Sequence, residues 1–370
     1  MEFNNLPKDI IFDIFSRIPL KPLYKLRIVC KKWQFLLDLS SEFKQFYHQI
    51  HKISPILLFK QQNNENPTTQ LSSYYIDGTQ THQFSTNFPQ KLTSILSCNG
   101  ILCLISESQA LLYDPIIKRY SNLPNSSHFS STFSWAFGFS SFRNEFRLIH
   151  FYTIEKFDNF HYCLAKEVMC EIISYPSSHL GLVFENDWKF LGKCPFNVLG
   201  RKDYAFVDGK FYWLIGEKKF NPDCIKIMSF NLEIEIFGIV CFPRSYSNRS
   251  VECLDLVEIK GKLCLTDRLP WDSSMNVWMM MKEEEGFSNY WEMKYKIDLM
   301  GVLHHDVRIL GYLSDKVNDC ENDGEILMKI GEESFGLYEL GSQLFKELGD
   351  GIDNIHGWNL QLMIDRKVLL

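Results

Sequence analysis

Apolar residues are concentrated near the start of the chain and recur there at helical spacing. Of the 32 residues between Leu6 and Leu37, 18 are apolar, a denser share than the 45% of the whole chain. Ile10, Ile14 and Ile18 follow one another at intervals of four residues, which places them on one face of a helix. The pattern predicts an amphipathic helix in this segment.

Prolines divide the same segment into three predicted helices. Pro19 ends the first helix, and Pro22 can begin the second. Cys30, Trp33 and Leu37 lie three and four residues apart and predict a third helical face. A chain of about 40 residues or fewer normally needs a metal, disulfides or a partner to complete its core. No metal or disulfide pattern lies here, so we expect a second protein to cover part of this apolar surface.

The rest of the chain shows short strand patterns and a weak repeat. A polar residue and a glycine precede a short apolar run at Gly100, Gly209 and Gly261. The first two glycines are 109 residues apart and the last two are 52 apart, so one separation is close to twice the other. A period near 50 is typical of kelch-type propeller blades. We count five or six such units, with residues 55–84 contributing one, and an irregular β-sandwich is the alternative.

The amino-terminal motif resembles the F-box of plant F-box proteins. The resemblance is carried by Leu6-Pro7-x-Asp9-Ile10-Ile11-x-x-Ile14-Phe15-x-Arg17-Ile18-Pro19-Leu20-Lys21-x-Leu23, followed by Arg27-x-Val29-Cys30-Lys31-x-Trp33. Pro22 departs from the small polar residue that is common there. The resemblance implies docking on a Skp-family adaptor of a cullin–RING ubiquitin ligase. The adaptor-facing candidates that it implies are Leu6, Pro7, Ile10, Ile14, Ile18, Pro19, Leu23, Leu26, Val29, Cys30 and Trp33.

For some of these candidates two roles are open, as core residues of the helical unit or as contacts of the adaptor. Ile14, Leu26 and Trp33 are the three for which both roles are open, because sequence does not separate an interface from a small core. A basic run suits steering toward an acidic adaptor surface, although a solvated helix face explains it equally well. The run comprises Lys21, Lys25, Arg27, Lys31 and Lys32.

The body of the chain resembles the plant F-box-associated domain, as found in S-locus F-box relatives. The resemblance begins with Ser97-Cys98-Asn99-Gly100-Ile101-Leu102-Cys103, Tyr113-Asp114-Pro115 and Lys118-Arg119-Tyr120, and continues through Ala136-Phe137-Gly138-Phe139 and Phe146-Arg147-Leu148. The predicted fold class is therefore α+β and multidomain. It comprises a three-helix F-box at residues 1–48 and a mainly antiparallel, kelch-like β-propeller at residues 55–370 that recognises the substrate.

Charge and cysteine content narrow the class of protein further. The net charge of −6 and pI near 6.0 argue against a nucleic-acid surface. No signal peptide or membrane span is visible, so we expect a cytoplasmic or nuclear protein, or both. The 11 cysteines include no C-x-x-C pair, which fits buried thiols in a reducing compartment. We expect no metal and no cofactor.

Catalytic motifs are absent from the sequence, and the remaining candidates favour simpler explanations. There is no G-x-S-x-G, Walker loop, G-x-G-x-x-G or H-E-x-x-H. His304 and His305 are adjacent and would point to opposite faces of a strand, which disfavours a shared metal. Trp135, Trp271 and Trp358 suit either the core or a binding hot spot. A protein target would bind most readily at the loops of one propeller mouth.

The predicted function is substrate recognition in a Skp–cullin–F-box ubiquitin ligase. The F-box would bind the adaptor, and the propeller would recruit a protein target for ubiquitination without chemistry of its own. One alternative is a non-degradative F-box adaptor or scaffold. The other is a kelch-type propeller enzyme, which the absence of a recognisable Tyr, Cys and His ligand set argues against.

Overall fold

The structure is a computed structural model that describes most, but not all, of the 370 residues. The described residues are 6–18, 20–39, 43, 56–62, 68–75, 86–88, 90–115, 118–158, 163–177, 187–195, 204–215, 225–243, 253–268, 273–282, 289–299, 307–313, 324–331, 334–347 and 359–364. Pro19, Trp271, Trp358 and residues 304–306 lie outside this set.

The amino-terminal segment is helical over most of its described part. Its elements are α1 (Lys8–Ser16), α2 (Leu20–Lys25), a short 3-10 turn (Leu26–Ile28) and α3 (Lys31–Leu39). Pro7 occupies the N-cap of α1, where its lack of an N–H has no consequence. Asp9 lies in the first turn, where its charge complements the helix dipole. Proline and charge therefore fix where α1 begins.

The described part of the remaining chain forms 24 β-strands. These strands are β1 (Ile56–Gln62), β2 (Thr69–Tyr75), β3 (Thr86–Phe88), β4 (Leu92–Cys98), β5 (Ile101–Ser106), β6 (Ala110–Asp114), β7 (Arg119–Asn122), β8 (Thr132–Ser140), β9 (Glu145–Asp158), β10 (Cys163–Pro176), β11 (Lys189–Lys193), β12 (Ala205–Val207), β13 (Lys210–Ile215), β14 (Lys226–Asn231), β15 (Ile236–Val240), β16 (Leu254–Ile259), β17 (Lys262–Asp267), β18 (Ser274–Lys282), β19 (Asn289–Asp298), β20 (Val307–Leu313), β21 (Glu325–Ile330), β22 (Ser334–Glu339), β23 (Leu344–Glu347) and β24 (Asn359–Ile364).

The described strands pair into six four-stranded antiparallel sheets, which we call blades. Blade 1 has the strand order β24-β1-β2-β3, and blades 2 to 6 take β4–β7, β8–β11, β12–β15, β16–β19 and β20–β23 in turn. The last strand thus completes the first sheet, with Ile56 opposite Ile364. The leading strands β4, β16 and β20 contact leading strands of neighbouring blades. The sheets therefore form a closed β-propeller, and the alternative of an irregular sandwich is wrong.

The repeated glycines lie in tight hairpins between the first two strands of their blades. Gly100 joins β4 to β5, and Gly209 and Gly261 join the equivalent strands of blades 4 and 5. Each of these glycines has a positive φ, at 74°, 69° and 72°, and so does the residue before each. Two consecutive positive φ values match the twist of a two-residue hairpin and favour glycine at the second position. The glycines that mark the sequence repeat therefore lie at equivalent turns of their blades.

Aromatic and aliphatic side chains fill the spaces between blades. Between blades 2 and 3 the buried cluster includes Cys103, Leu112 and Phe137. Between blades 3 and 4 Phe151 packs edge-on against Trp213, with ring centroids 5.4 Å apart. A single blade cannot bury both of its faces, so the core becomes continuous only when the blades stack.

Candidate functional site

The helical segment has its own small hydrophobic core. The buried members are Ile11, Phe12, Phe15, Leu23, Leu36, Leu37 and Phe43. Phe12 and Phe43 contact edge to face with centroids 5.1 Å apart, and Phe15 contacts Trp33 in the same way at 4.8 Å. These aromatic contacts hold α1 against α3 and the residue at position 43.

Five large apolar side chains of the same segment are exposed to solvent. Ile10 and Ile14 lie one turn apart on α1, and Ile28 and Val29 lie at the end of the 3-10 turn. Ile28 is 90% exposed, and Phe35 on α3 is 63% exposed. Exposed apolar side chains concentrated in this way, here within 26 residues (10–35), are typical of surfaces where another molecule binds. We call these five residues the exposed apolar set.

The predicted adaptor-facing residues fall into distinct environments. Pro7, Ile10, Ile14 and Val29 are exposed, and Cys30 is half-buried. Leu6, Ile18, Leu26 and Trp33 are partly buried against the helical core. Leu23 is fully buried within that core, and Pro19 lies outside the described residues. Of the three residues with two open roles, Leu26 and Trp33 contact the core, whereas Ile14 is exposed.

Sequence reasoning did not include Ile28 and Phe35 among the candidates. On α3, Phe35 lies about 200° around the helix from Trp33, because successive residues advance by roughly 100°. Leu36 and Leu37 are buried on the other side of the same helix. A helical projection of α3 would therefore have identified Phe35. Ile28 follows the end of α2, where a 3-10 turn changes the side-chain directions, and no periodic pattern indicates its exposure.

The segment that carries the exposed apolar set also exposes charged side chains. Lys8, Lys25, Lys31 and Lys32 are exposed. Asp13 and Arg17 form an exposed ion pair at 2.9 Å, one helical turn apart, which contributes little stability by itself. The surface therefore combines apolar side chains with several cations, a composition suited to a partner with an apolar groove and acidic edges.

The described part of the propeller contains no cluster of three or more His, Cys, Asp or Glu side chains that could bind a metal. Trp135 is buried, and its ring stacks on His150 with centroids 3.9 Å apart. Its role in packing is therefore shown, while Trp271 and Trp358 are outside the described residues. No helix among the described residues has the length and apolarity that a membrane crossing requires.

Comparison with known proteins agrees with this division of the chain. Residues 3–45 match the F-box domain, and residues 46–329 match the F-box associated beta propeller domain. The chain belongs to the family of F-box proteins that carry an F-box-associated β-propeller. The family resemblance seen in the sequence is thereby confirmed. The predicted domain limits of 1–48 and 55–370 stay predictions.

Two Arabidopsis thaliana proteins illustrate the relationship. F-box protein At3g07870 is 26% identical over 319 residues, which cover 79% of this chain and 72% of the relative. At1g12870, which is named as an F-box/kelch-repeat protein, is 20% identical over 328 residues and 83% and 75% of the two chains. Among solved structures, the β-propeller domain of the Trilobed protease from Pyrococcus furiosus has a TM-score of 0.42 and 11% identity, with 81% and 79% coverage.

Proposed function

We propose that this protein is the substrate-recognition subunit of a Skp–cullin–F-box ubiquitin ligase. The observation that carries the proposal is the exposed apolar set on a helical segment that already has a separate core. Covering these side chains with a partner would remove apolar area from water and so favour binding. The match of residues 3–45 to the F-box domain supports a Skp-family adaptor as that partner.

The proposed interface assigns different roles to the predicted residues. Pro7, Ile10, Ile14 and Val29 are accessible and would enter an apolar groove of the adaptor directly. Leu6, Ile18, Leu26, Cys30 and Trp33 would contribute the edges of side chains that are only partly buried. Leu23 would act by holding α2 in the core. Pro19 retains its predicted place in the interface.

The propeller would bind the protein target, and its contribution to ubiquitination would be proximity. Holding a target beside the conjugating enzyme raises the effective concentration of its lysines and requires no catalytic group in this chain. We therefore propose a non-catalytic subunit that acts in the cytoplasm, the nucleus or both. The cullin and RING subunits would be reached through the adaptor.

Titration of the full chain with a purified Skp-family adaptor tests the first half of the proposal. We expect the double substitution Leu6→Ala and Pro7→Ala to weaken binding by a few kcal/mol, because truncated anchors lose their contact area. Unchanged affinity with retained folding would contradict the assignment.

Reconstitution with cullin and RING subunits tests the second half of the proposal, the recruitment of a target for ubiquitination. If no bound protein gains ubiquitin, the chain is better described as a non-degradative adaptor. If the pure chain converts a small-molecule substrate by itself, the propeller-enzyme alternative is favoured.

A further inference from the structure

A cavity of about 510 Å³ lies between blades 2 and 3. It is bordered by the beginnings of the two leading strands β4 and β8, by the end of β5 and by the turn that precedes β8. Its described wall comprises Thr93, Ser94, Leu96, Ser106, Glu107, Phe129, Ser130, Thr132, Ser134 and Trp135. Pockets that bind small molecules have volumes of about 300–1,000 Å³. The cavity therefore has the size of a small-molecule site.

Hydroxyl groups dominate the wall, and one of them is buried without a partner. Thr93 donates its hydroxyl to the Ile105 carbonyl at 3.1 Å, and Ser106 bonds within its own turn. Ser134 is only 3% exposed, and its Oγ makes no hydrogen bond within the described part of the chain. Buried polar groups are almost always hydrogen-bonded, so an unpartnered hydroxyl in a cavity wall is available to a ligand.

The aromatic part of the wall is held in place from behind. The buried His150 stacks on Trp135 at an interplanar angle of 12°. One nitrogen of His150, Nδ1, lies 2.9 Å from a carboxylate oxygen of Glu171, and the other, Nε2, lies 3.0 Å from the Thr132 hydroxyl. Phe129 packs against Trp135 with centroids 5.2 Å apart. Polar and aromatic groups of the wall therefore share one rigid support, which lowers the entropy lost when a ligand binds.

The charge of the wall decides which ligands fit. Glu107 is the single ionisable residue among the described wall residues, and it is exposed. No lysine, arginine or histidine occurs in that wall to balance a phosphate or a carboxylate. Hydroxyl groups both donate and accept hydrogen bonds, and they match partners that do the same. The rings of Phe129 and Trp135, together with Leu96, would contact an apolar face of the ligand.

From these observations we infer that the cavity binds a neutral, polyhydroxylated ring, such as a pyranose sugar. The hydroxyls of Ser134, Ser94 and Ser130 would bond to the ring's hydroxyl groups, and Phe129 and Trp135 would contact its C–H face. This site is separate from the helical surface proposed for the adaptor. Its existence does not depend on the proposed ligase function.

Saturation-transfer NMR on the full chain tests the inference, with D-glucose, D-galactose and sucrose as probes at millimolar concentration. We expect transfer to at least one sugar. The Ser134→Ala variant should weaken that binding about tenfold, the change that corresponds to roughly 1.4 kcal/mol. Because the Ser134 hydroxyl has no partner within the described chain, its removal should leave the thermal midpoint unchanged or raised.

Ser140→Ala is the matched control in the same strand. Ser140 is also buried, but its hydroxyl donates to Glu233 at 2.8 Å and accepts the Arg143 N–H at 3.1 Å. This variant should lower the thermal midpoint and leave sugar binding intact. The inference is overturned if no sugar receives transfer, or if Ser134→Ala binds like the parent chain. It is also overturned if only choline, inorganic phosphate or an acetylated Ser-Thr amide binds.

Discussion

The hydroxyl of Tyr204 bonds to both main-chain groups of Phe137. It accepts the Phe137 N–H at 2.9 Å and donates to the Phe137 carbonyl at 3.0 Å. Phe137 lies in β8 of blade 3, and Tyr204 directly precedes β12 of blade 4. The Tyr204 side chain thus makes the two hydrogen bonds to β8 that the main chain of a neighbouring strand would make. Burial raises the pKa of Tyr204, so its hydroxyl keeps the proton that it donates.

Tyr204→Phe should therefore destabilise the propeller by about 1–3 kcal/mol, because a buried N–H and a buried carbonyl would lose their partner. Chemical denaturation of the full chain measures this change. The exposed Tyr120 supplies the control, since Tyr120→Phe should change stability by at most about 0.5 kcal/mol. Equal denaturation midpoints for the two variants would show that the hydrogen bonds from Tyr204 to Phe137 contribute nothing to stability.

Blades 3 and 4 also approach each other closely at Gly138. A Cβ at this position would lie 2.6 Å from Cζ of Phe211 and 2.8 Å from Cε2 of Phe206. Phe211 is fully buried, so its ring has neighbours on every side. We expect Gly138→Ala to destabilise the protein by about 1–3 kcal/mol, as overpacking does. Gly238→Ala, whose Cβ would meet only Ser229 Oγ at 3.0 Å, should have a smaller effect in the same thermal melts.

A buried arginine ties the same two blades together. Arg147 lies 2.9 Å from Glu145 and 3.0 Å from Glu235, and it also donates to the Leu232 carbonyl. Removal of one partner from a buried ion pair costs about 3–5 kcal/mol, because the remaining charge stays buried. We expect Arg147→Met to lower the unfolding free energy by an amount of that order in urea titrations.

Arg143→Met is the control for the buried arginine. Arg143 is about half exposed and lies 4.0 Å from Glu233. Exposed ion pairs contribute about 0–1 kcal/mol, so this variant should unfold close to the parent midpoint. A loss as large as that of Arg147→Met would indicate that net charge, rather than burial, controls stability here.

The His150–Glu171 pair makes the propeller sensitive to acid. Burial lowers the pKa of His150, although the hydrogen bond to Glu171 opposes this effect. Burial raises the pKa of Glu171, but hydrogen bonds from His150 and Ser126 outweigh it and lower the pKa overall. At neutral pH a neutral imidazole therefore donates from Nδ1 to an ionised carboxylate.

The lowered pKa values of His150 and Glu171 both make the folded protein less stable as the pH falls. Below pH 6.5 the unfolded chain protonates its imidazole more readily than the folded chain does, so stability falls as the pH drops. Glu171 adds a second loss as the pH falls below 4.5. His150→Phe should flatten the first decline in denaturation curves recorded across that interval. A parallel His128→Phe variant should keep it, and an unchanged slope without His150 would contradict the assignment.

The burial of Leu23 and the exposure of Ile28 predict opposite effects in the helical segment. Leu23→Ala should destabilise that segment by about 2–5 kcal/mol, because it leaves a cavity in the small core. Ile28→Ala should change stability by at most about 0.5 kcal/mol, yet weaken adaptor binding by about 1–2 kcal/mol. Hydrogen exchange in the full chain measures the first effect, and calorimetric titration with the adaptor measures the second. Full-strength adaptor binding by the Ile28 variant would exclude it from the interface.

Local patterns were sufficient to predict much of the fold. Helical spacing indicated that Ile10 and Ile14 share one helical face and that another helical face includes Trp33. Asn99-Gly100 and Asp208-Gly209, which begin two units of the sequence repeat, lie in hairpins, because few other residue pairs adopt two consecutive positive φ values. The spacing of Gly100, Gly209 and Gly261, with gaps of 109 and 52 residues, then indicated stacked blades with a period near 50. Each of these inferences depends on a few neighbouring residues.

Residues that act across the fold were not predictable in this way. The chain separates Phe137 from Tyr204 by 67 residues and His150 from Glu171 by 21, and no short pattern connects them. The exposure of Ile28 and the burial of Leu23 also escaped prediction, because both residues are apolar and lie in one short segment.

By itself the sequence determined the family, the helical and strand elements, and the turns that join them, since these depend on side-chain periodicity and on backbone preferences of single residues. Only the tertiary structure decided which apolar side chains face water and that β24 completes the first blade. It also decided that Ser106, Ser134 and Trp135 line one cavity. Contacts between distant segments arise when the blades stack, and stacking is a property of the whole ring rather than of any one segment.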